Sequence, residues 1–342
     1  MNIIYVGIYE SGSTSRMRGE ILAALNPNSN FCVIDTSIPF ESETRLLRSI
    51  TFRYKWGPLI GKINRYVLSE IAKLNQNNID LIWVDKAVYL AESTTKTLRS
   101  KTSKLVHYTP DPAFTFHQSR YFKASLPYYD YAITTKAYEL EFFQRYLKPE
   151  RVIYATQGFD KRLHRPQTPL KSKKNGLLFI GHKEREREIV LQTLIDNQIS
   201  VSIAGIKWEA FIKKNKSNPH LIYLGKGIYG ADYAKTLSSY QFSWGSLSKW
   251  IPELHTTRTF EIPACGTALI TERNSETQLF FTEDEAIFYD NLDEIVEKIR
   301  YYQKNTSELE FLTQKGLTRV NTDGRDYESI IKNILDRIMS KE

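Results

Sequence analysis

Apolar residues come along this chain in short solid runs rather than in long stripes. Residues 3–6, 31–34, 81–84, 105–108, 131–134 and 152–154 each form such a run between polar or glycine-bearing segments. Runs this short, bounded this way, predict strands buried on both faces. Segments of helical length lie between several of them, at 16–25, 61–74 and 136–146. Buried strands alternating with helices predict a parallel sheet covered on both sides. Residues 161–175, KRLHRPQTPLKSKKN, interrupt the pattern with two prolines and many cations, and are expected to form a linker. The alternation then resumes, with strands at 177–180, 201–204, 221–224, 268–271 and 286–289. Helices are expected at 184–197, from 208, at 292–302 and at 327–339. Two α/β units in tandem are predicted, with ligands in a cleft at the carboxyl ends of their strands.

Composition narrows the class. The chain has 342 residues, 41% apolar and 25% charged, an ordinary globular balance. Cys32 and Cys265 are the only cysteines, which excludes a disulfide framework or a cysteine-rich zinc site. No apolar run reaches the ~18 residues of a membrane span, and the opening MNIIYVGIYESG lacks a basic segment ahead of an apolar one. A cytoplasmic protein is expected. The net charge of +8 is unevenly spread: residues 1–165 hold 23 Lys and Arg against 15 Asp and Glu, while 166–342 hold 24 of each. A basic first half suits an anionic partner, whether a membrane surface, a phosphorylated acceptor or nucleic acid. Within 45–65, Arg48, Arg53, Lys55 and Lys62 interleave with Phe52, Tyr54 and Trp56. That mixture fits the headgroup layer of an anionic bilayer, or a solvated helix face with its own core aromatics. Nucleic acid is not expected, because the cations are spread among helices rather than gathered in a stripe.

The Gly-x-Gly-x-x-Gly, Walker, Gly-x-Ser-x-Gly and paired-histidine zinc motifs are all absent. The strongest signal is residues 252–271, PELHTTRTFEIPACGTALIT. Glu253 and Glu261 are eight positions apart, about two helical turns, so both would share one side of a helix. A helix beginning near His255 would turn N–H groups toward an anion, and Arg258 would add a bidentate phosphate contact. Gly266 would end that helix ahead of the strand at 268–271. The pattern suits an acid on a ribose and N–H groups on a diphosphate, and equally a plain surface helix.

RTFEIPACGTALIT and the following EDEAIFYDNLDEIVEKIRYY together resemble the C-terminal domain of group-one glycosyltransferases, in particular the CgeB-type (spore-maturation-like) branch. Glu253 and Glu261 match the Glu–seven residues–Glu motif of retaining members. Gln157-Gly158-Phe159-Asp160 with Pro166 resembles the close of the first domain. Leu178-Phe179-Ile180-Gly181, followed by Arg185 or Arg187, resembles the opening of the second. The resemblance implies a GT-B fold, two Rossmann-like domains facing each other across a cleft, with a C-terminal helix crossing back to the first. The acceptor domain would span 1–160, the linker 161–175, the donor domain 176–325 and the crossing helix 326–342.

By the same match, Glu261 would hold the donor ribose and Glu253 the sugar. N–H groups near Thr256 and Thr257, with Arg258, would face the diphosphate. Gly181 would form the phosphate-facing turn, and Lys183, Arg185 or Arg187 would supply the charge that many members use in place of a metal. No cofactor and no metal are implied, since an Asp-x-Asp motif is absent. Two departures stand out. Leu254-His255 replaces the usual Phe-Gly. The glycine-rich loop after the first strand is reduced to Ser11-Gly12-Ser13-Thr14, where Gly12 would still let backbone approach a phosphate or sugar beside Arg16 and Arg18.

Asp111, between two prolines past a strand end, is either a turn former or the general base that an inverting transferase needs. His182, directly after Gly181, is a further catalytic candidate. His107 and His117 are expected to be structural or to touch the acceptor, Asp160 to fix the interdomain turn, and Cys265 to sit in the core. The expected function is metal-independent, retaining transfer from a nucleotide-diphosphate sugar to a glycan or lipid-linked acceptor. Bacterial surface polysaccharide would be the product, made peripherally on the inner face of the plasma membrane. An epimerase of the same fold and a non-catalytic subunit of a glycan-synthesis complex are the alternatives.

Overall fold

The computed structural model describes residues 1–74, 78–116 and 118–340; His117 lies outside them. The chain divides into two units, Met1–Thr156 with Glu328–Glu342, and Gln157–Tyr327.

The first unit is built on six parallel strands, β1 (Asn2–Gly7), β2 (Asn30–Asp35), β3 (Ile79–Asp85), β4 (Thr102–Thr109), β5 (Tyr131–Thr134) and β6 (Val152–Tyr154), in the order β2-β1-β3-β4-β5-β6. Ile4, Val6, Ile82, Val84 and Leu105 enter one core with Ile60, Ile63 and Val67 of the helix Pro58–Lys73. The alternate residues Tyr5, Trp83 and Tyr108 are buried as well, with the Trp83 and Tyr108 rings stacked at 5.8 Å. Burial on both faces explains why these strands read as unbroken apolar runs. The segment 136–146, expected as one helix, splits into the 3-10 turn Ala137–Glu139 and the single α turn Leu140–Phe143. Glu139 is fully buried, and its carboxylate accepts the N–H groups of Ala113, Phe114 and Thr115. Those bonds tie the segment to a neighbouring loop instead of letting one face run on. The last helix, Tyr327–Met339, joins this unit from Glu328 onward, and Arg337 donates to the Glu150 carbonyl at 3.1 Å.

The second unit repeats the architecture with β7 (Lys174–Ile180), β8 (Val201–Ala204), β9 (Leu221–Tyr223), β10 (Tyr240–Trp244), β11 (Ala268–Glu272) and β12 (Ile287–Tyr289), all parallel in the order β12-β11-β10-β7-β8-β9. Leu177, Phe179, Phe242 and Trp244 face one core, while Leu178, Tyr240 and Leu269 face the other. Residues 161–175 are packed on this unit. The N–H groups of Gln167 and Thr168 donate to Ser238 Oγ, and buried Lys173 donates to the Ser238 carbonyl (2.6 Å) and Thr267 Oγ1. Strand β10, at the centre of the sheet, is not foreseen by the apolar runs. Its polar Ser243 is buried because Oγ donates to the Leu178 carbonyl across the sheet.

Both sheets contain a point where the chain reverses direction across the sheet. In the first unit it lies between β1 and β3, in the second between β7 and β10. Ligands of open α/β sheets sit at such points, beyond the carboxyl ends of the strands.

Candidate functional site

At the reversal point of the second unit the chain leaves β7 through Gly181 and His182, and leaves β10 through Gly245 and Ser246. Arg187, from the first turn of the helix Arg185–Asp196, reaches back over this edge. Its Nε donates to Ser246 Oγ (3.1 Å), one terminal nitrogen donates to the His182 carbonyl (3.1 Å), and that nitrogen pairs with Glu184 at 2.8 Å. Both partners of the pair are buried. Arg258 approaches from the other side and donates to the Ser246 carbonyl at 3.2 Å, while its Nε is buried without a partner. Burial, and then the neighbouring Arg258, lower the Arg187 guanidinium to about 10, with Glu184 and Glu253 pulling the other way. Two partly desolvated cations thus converge on one serine, and among the described residues only Arg187 is paired with a buried carboxylate. A bound dianion would relieve that imbalance.

His182 is exposed, with Nε2 3.1 Å from Glu184. Burial of part of the ring and the charges of Arg187 and Arg258 lower its pKa, so it stands beside the cations as a neutral ring. Lys183 is paired with Glu188 at 2.6 Å, whereas Arg185 is exposed. Gly181 packs so closely that a Cβ there would lie 2.7 Å from the Phe179 ring, and its carbonyl accepts from the Trp208 indole at 2.9 Å.

The helix of the 252–271 segment spans Arg258–Ala264, three residues later than expected. Gly266, at φ +66°, closes it in the left-handed conformation that glycine adopts without cost. The late start has a local cause: the Thr256 N–H donates to Thr259 Oγ1 at 3.1 Å instead of pointing outward. Thr256 therefore offers no N–H to an anion, a correction to the sequence-based expectation. The N–H groups of Thr257 and Arg258 have no protein acceptor among the described residues. Glu253 lies ahead of the helix rather than on it, so the two glutamates do not share a helix face. The loop between them is braced by His255, which is buried between the Phe260 and Phe280 rings. Its Nε2 accepts the Gln157 N–H (3.0 Å) and its Nδ1 bonds to Glu276.

Glu261 is on the helix and largely buried. The Tyr233 hydroxyl donates to its Oε2 at 2.7 Å, and His164 Nε2 stands 3.8 Å from Oε1. Burial, then the Glu261 charge, raises the Tyr233 pKa far above its ordinary value, so this tyrosine is a fixed donor. His164 is held by the Asp160 N–H, and the Asp160 carboxylate takes Arg162 at 2.7 Å. Cys265 is buried.

The first-unit candidates are arranged differently. Gly12 adopts φ +79° in the turn after β1 with open space at its Cβ position. The helix behind it begins at Thr14 and is capped by Ser13, whose Oγ accepts the Arg16 N–H. Arg16 pairs with Glu20, and Arg18 forms a buried bidentate pair with Asp85 at 2.7 and 2.8 Å. Arg18 is thus a core residue rather than a ligand contact. Asp111 pairs with Lys86 at 2.9 Å and is half exposed. His107 is fully buried between Phe122 and Tyr129, with neither ring nitrogen bonded, and burial lowers its pKa to about 3. It is structural.

Sequence reasoning missed Ser246, Glu184, Tyr233 and the His255–Glu276 brace. The alternation Tyr240-x-Phe242-x-Trp244 was the available signal for the first, since Ser246 follows directly from locating that strand. Among the described residues, no group of three or more His, Cys, Asp or Glu side chains is placed to hold a metal ion.

A protein family described as glycosyl transferase-like matches residues 185–336. No curated protein matches the chain in sequence. Among solved structures, sucrose-phosphate synthase from Thermosynechococcus elongatus is similar at TM-score 0.72 and 15% identity, covering 98% of this chain and 97% of that one. The Anabaena protein HepE in complex with UDP is similar at 0.65 and 12%, each chain covered in full. A lipopolysaccharide outer core galactosyltransferase in its apo form gives 0.63 and 13%, again over both full chains. The fold is GT-B, and the family that matches residues 185–336 is glycosyl transferase-like.

Proposed function

We propose that the protein is a glycosyltransferase that takes its sugar from a nucleoside diphosphate donor bound at the β7/β10 edge of the second unit, without a metal ion. The observation that carries this is the convergence of Arg187 and Arg258 on Ser246, with the Arg258 Nε buried and unbonded. Guanidinium groups held in place before the ligand arrives stabilise a departing diphosphate with little reorganisation. Glu261, fixed by Tyr233, would accept the ribose hydroxyls, and Glu253 would meet the sugar. The N–H groups of Thr257 and Arg258 would join the diphosphate, as would Arg185, on the helix that carries Arg187. The glutamate pair favours retention. A retaining reaction needs no general base, which agrees with Asp111 being engaged by Lys86.

The CgeB-type branch, a glycan or lipid-linked acceptor on the first unit, a role in bacterial surface polysaccharide synthesis and a cytoplasmic, peripheral location complete the reading. Supporting it are the basic first half of the chain and the likeness to a lipopolysaccharide galactosyltransferase. HepE is solved with UDP and with UDP-glucose, so UDP is the first ligand to try.

The test is thermal unfolding of the full chain with UDP, GDP, CMP, dTDP and ADP, with and without EDTA. A ligand at a hundred times its Kd adds about 2.7 kcal/mol of stability. A shift with one diphosphate that survives EDTA is expected. A shift abolished by EDTA refutes metal independence, and no shift with any of the five refutes the donor site.

A further inference from the structure

In the first unit, the helix Arg45–Tyr54 keeps a face that the unit does not use. Thr51 is its one buried residue. Leu46, Ile50 and Tyr54 follow at four-residue spacing, so they share one side. They are 71%, 40% and 65% exposed, and Trp56 just beyond is 64% exposed. Large apolar side chains standing together in water mark a surface that something covers. The segment itself is basic, because residues 45–65 contain Arg45, Arg48, Arg53, Lys55, Lys62 and Arg65 with no Asp or Glu, while Glu43 from outside it takes Lys62 at 2.8 Å. Another side of the helix, Arg45, Arg48, Ser49 and Phe52, lines a cavity of about 410 Å³ completed by Ile8, Glu10 and Phe40. That cavity has aromatic walls and two guanidinium groups against one carboxylate, Glu10, so cations are in excess.

We infer that this helix is the docking surface for an anionic lipid bilayer. Leu46, Ile50, Tyr54 and Trp56 enter the boundary between headgroups and acyl chains. Arg45, Arg48 and Arg53 meet lipid phosphates, and the cavity receives a headgroup. Tyr and Trp beside Arg and Lys suit that boundary because each carries an apolar body and a polar tip. Among the described residues no helix is long and apolar enough to cross a membrane, so the contact lies in the plane of the surface. It deepens the lipid-linked-acceptor reading above and rests on it for its purpose only, since vesicle binding is measured without donor or acceptor.

The test is co-sedimentation of the full chain with vesicles of phosphatidylglycerol and phosphatidylcholine, against vesicles of phosphatidylcholine alone. Binding is expected to the anionic vesicles, weakening as salt is raised. Arg45→Ala with Arg48→Ala weakens it about fivefold per guanidinium removed. Leu46→Ser with Ile50→Ser weakens it about tenfold or more. In a Trp250→Phe background, which removes the other exposed tryptophan, Trp56 emission shifts to the blue on binding. All four changed side chains of the binding variants are at the surface, so unchanged melting and an unchanged UDP-induced shift certify the fold. A chain that stays in the supernatant with anionic vesicles at low salt overturns the inference. So does a Leu46→Ser, Ile50→Ser variant that binds like the parent, or displacement by inorganic phosphate at the vesicle phosphate concentration. The UDP shift reports the donor site separately, so either proposal fails without the other.

Discussion

Arg187 and Arg258 touch the same serine, yet their removal is expected to act on stability in different ways. Arg187 pairs with Glu184 at 2.8 Å, and both side chains are under 5% exposed, 4% and 3%. Arg187→Ala leaves Glu184 with Ser248 Oγ at 3.2 Å, the Lys249 N–H at 3.4 Å and the exposed His182. Stranding a buried charge costs about 3–5 kcal/mol, and these remaining contacts place the expectation near ~3. For a unit of this size about 2–4 °C of melting temperature goes with each kcal/mol, so a fall of ~6–12 °C is expected. Among the described residues Arg258 has one side-chain bond, to the Ser246 carbonyl at 3.2 Å, and a buried unbonded Nε beside a like charge. Arg258→Ala is therefore expected to melt within ~3 °C of the parent. Affinity behaves otherwise. Each loses charge-assisted hydrogen bonds to the diphosphate worth about 1.5–3 kcal/mol, a rise in Kd of ~10–150-fold. Differential scanning fluorimetry reads the first quantity, and calorimetric titration with UDP and with uridine reads the second. Unchanged UDP affinity in Arg258→Ala would refute the reasoning. So would an equal loss for uridine, or a melting temperature as low as that of Arg187→Ala.

Four further outcomes are expected. Glu261→Gln weakens uridine and UDP by the same factor, about tenfold, in titration; a loss confined to UDP would remove Glu261 from the ribose. Asp111→Asn lowers kcat by less than about tenfold in a product assay, whereas a loss of ~10²–10⁴ would make it a general base and the reaction inverting. His107 titrates near 3 when folded and at 6.5 when unfolded, because burial opposes its charge. The unfolded chain then binds the extra proton, so stability falls as pH drops below 6.5 toward 3; His107→Phe removes that slope in urea titrations across this range. Burial lowers Lys173 to about 8 from 10.5, so stability rises with pH between those values, and Lys173→Met flattens the rise.

Local sequence determined much of this protein. Runs such as 131–134, 152–154 and 201–204 coincide with β5, β6 and β8, because a strand buried on both faces has no polar side to interrupt it. Gly266 closed its helix as the sequence predicts, since left-handed backbone after a helix selects glycine locally. The two tandem α/β units followed from the order of these elements, and the GT-B expectation from the resemblance of residues such as 258–271. Strand β10 escaped because Ser243 is polar, and only a carbonyl on a strand 65 residues away makes its burial affordable. The start of the Arg258–Ala264 helix depended on a threonine hydroxyl competing for a backbone N–H. Whether a given arginine is a ligand or a strut was decided by distant partners: Arg18 by Asp85, 67 residues on, and Arg187 and Arg258 by their meeting at Ser246. Charge and hydrophobic period act over a few residues and can be read along the chain. Pairing, desolvation and the reversal of strand order act between segments that only the folded sheet brings together.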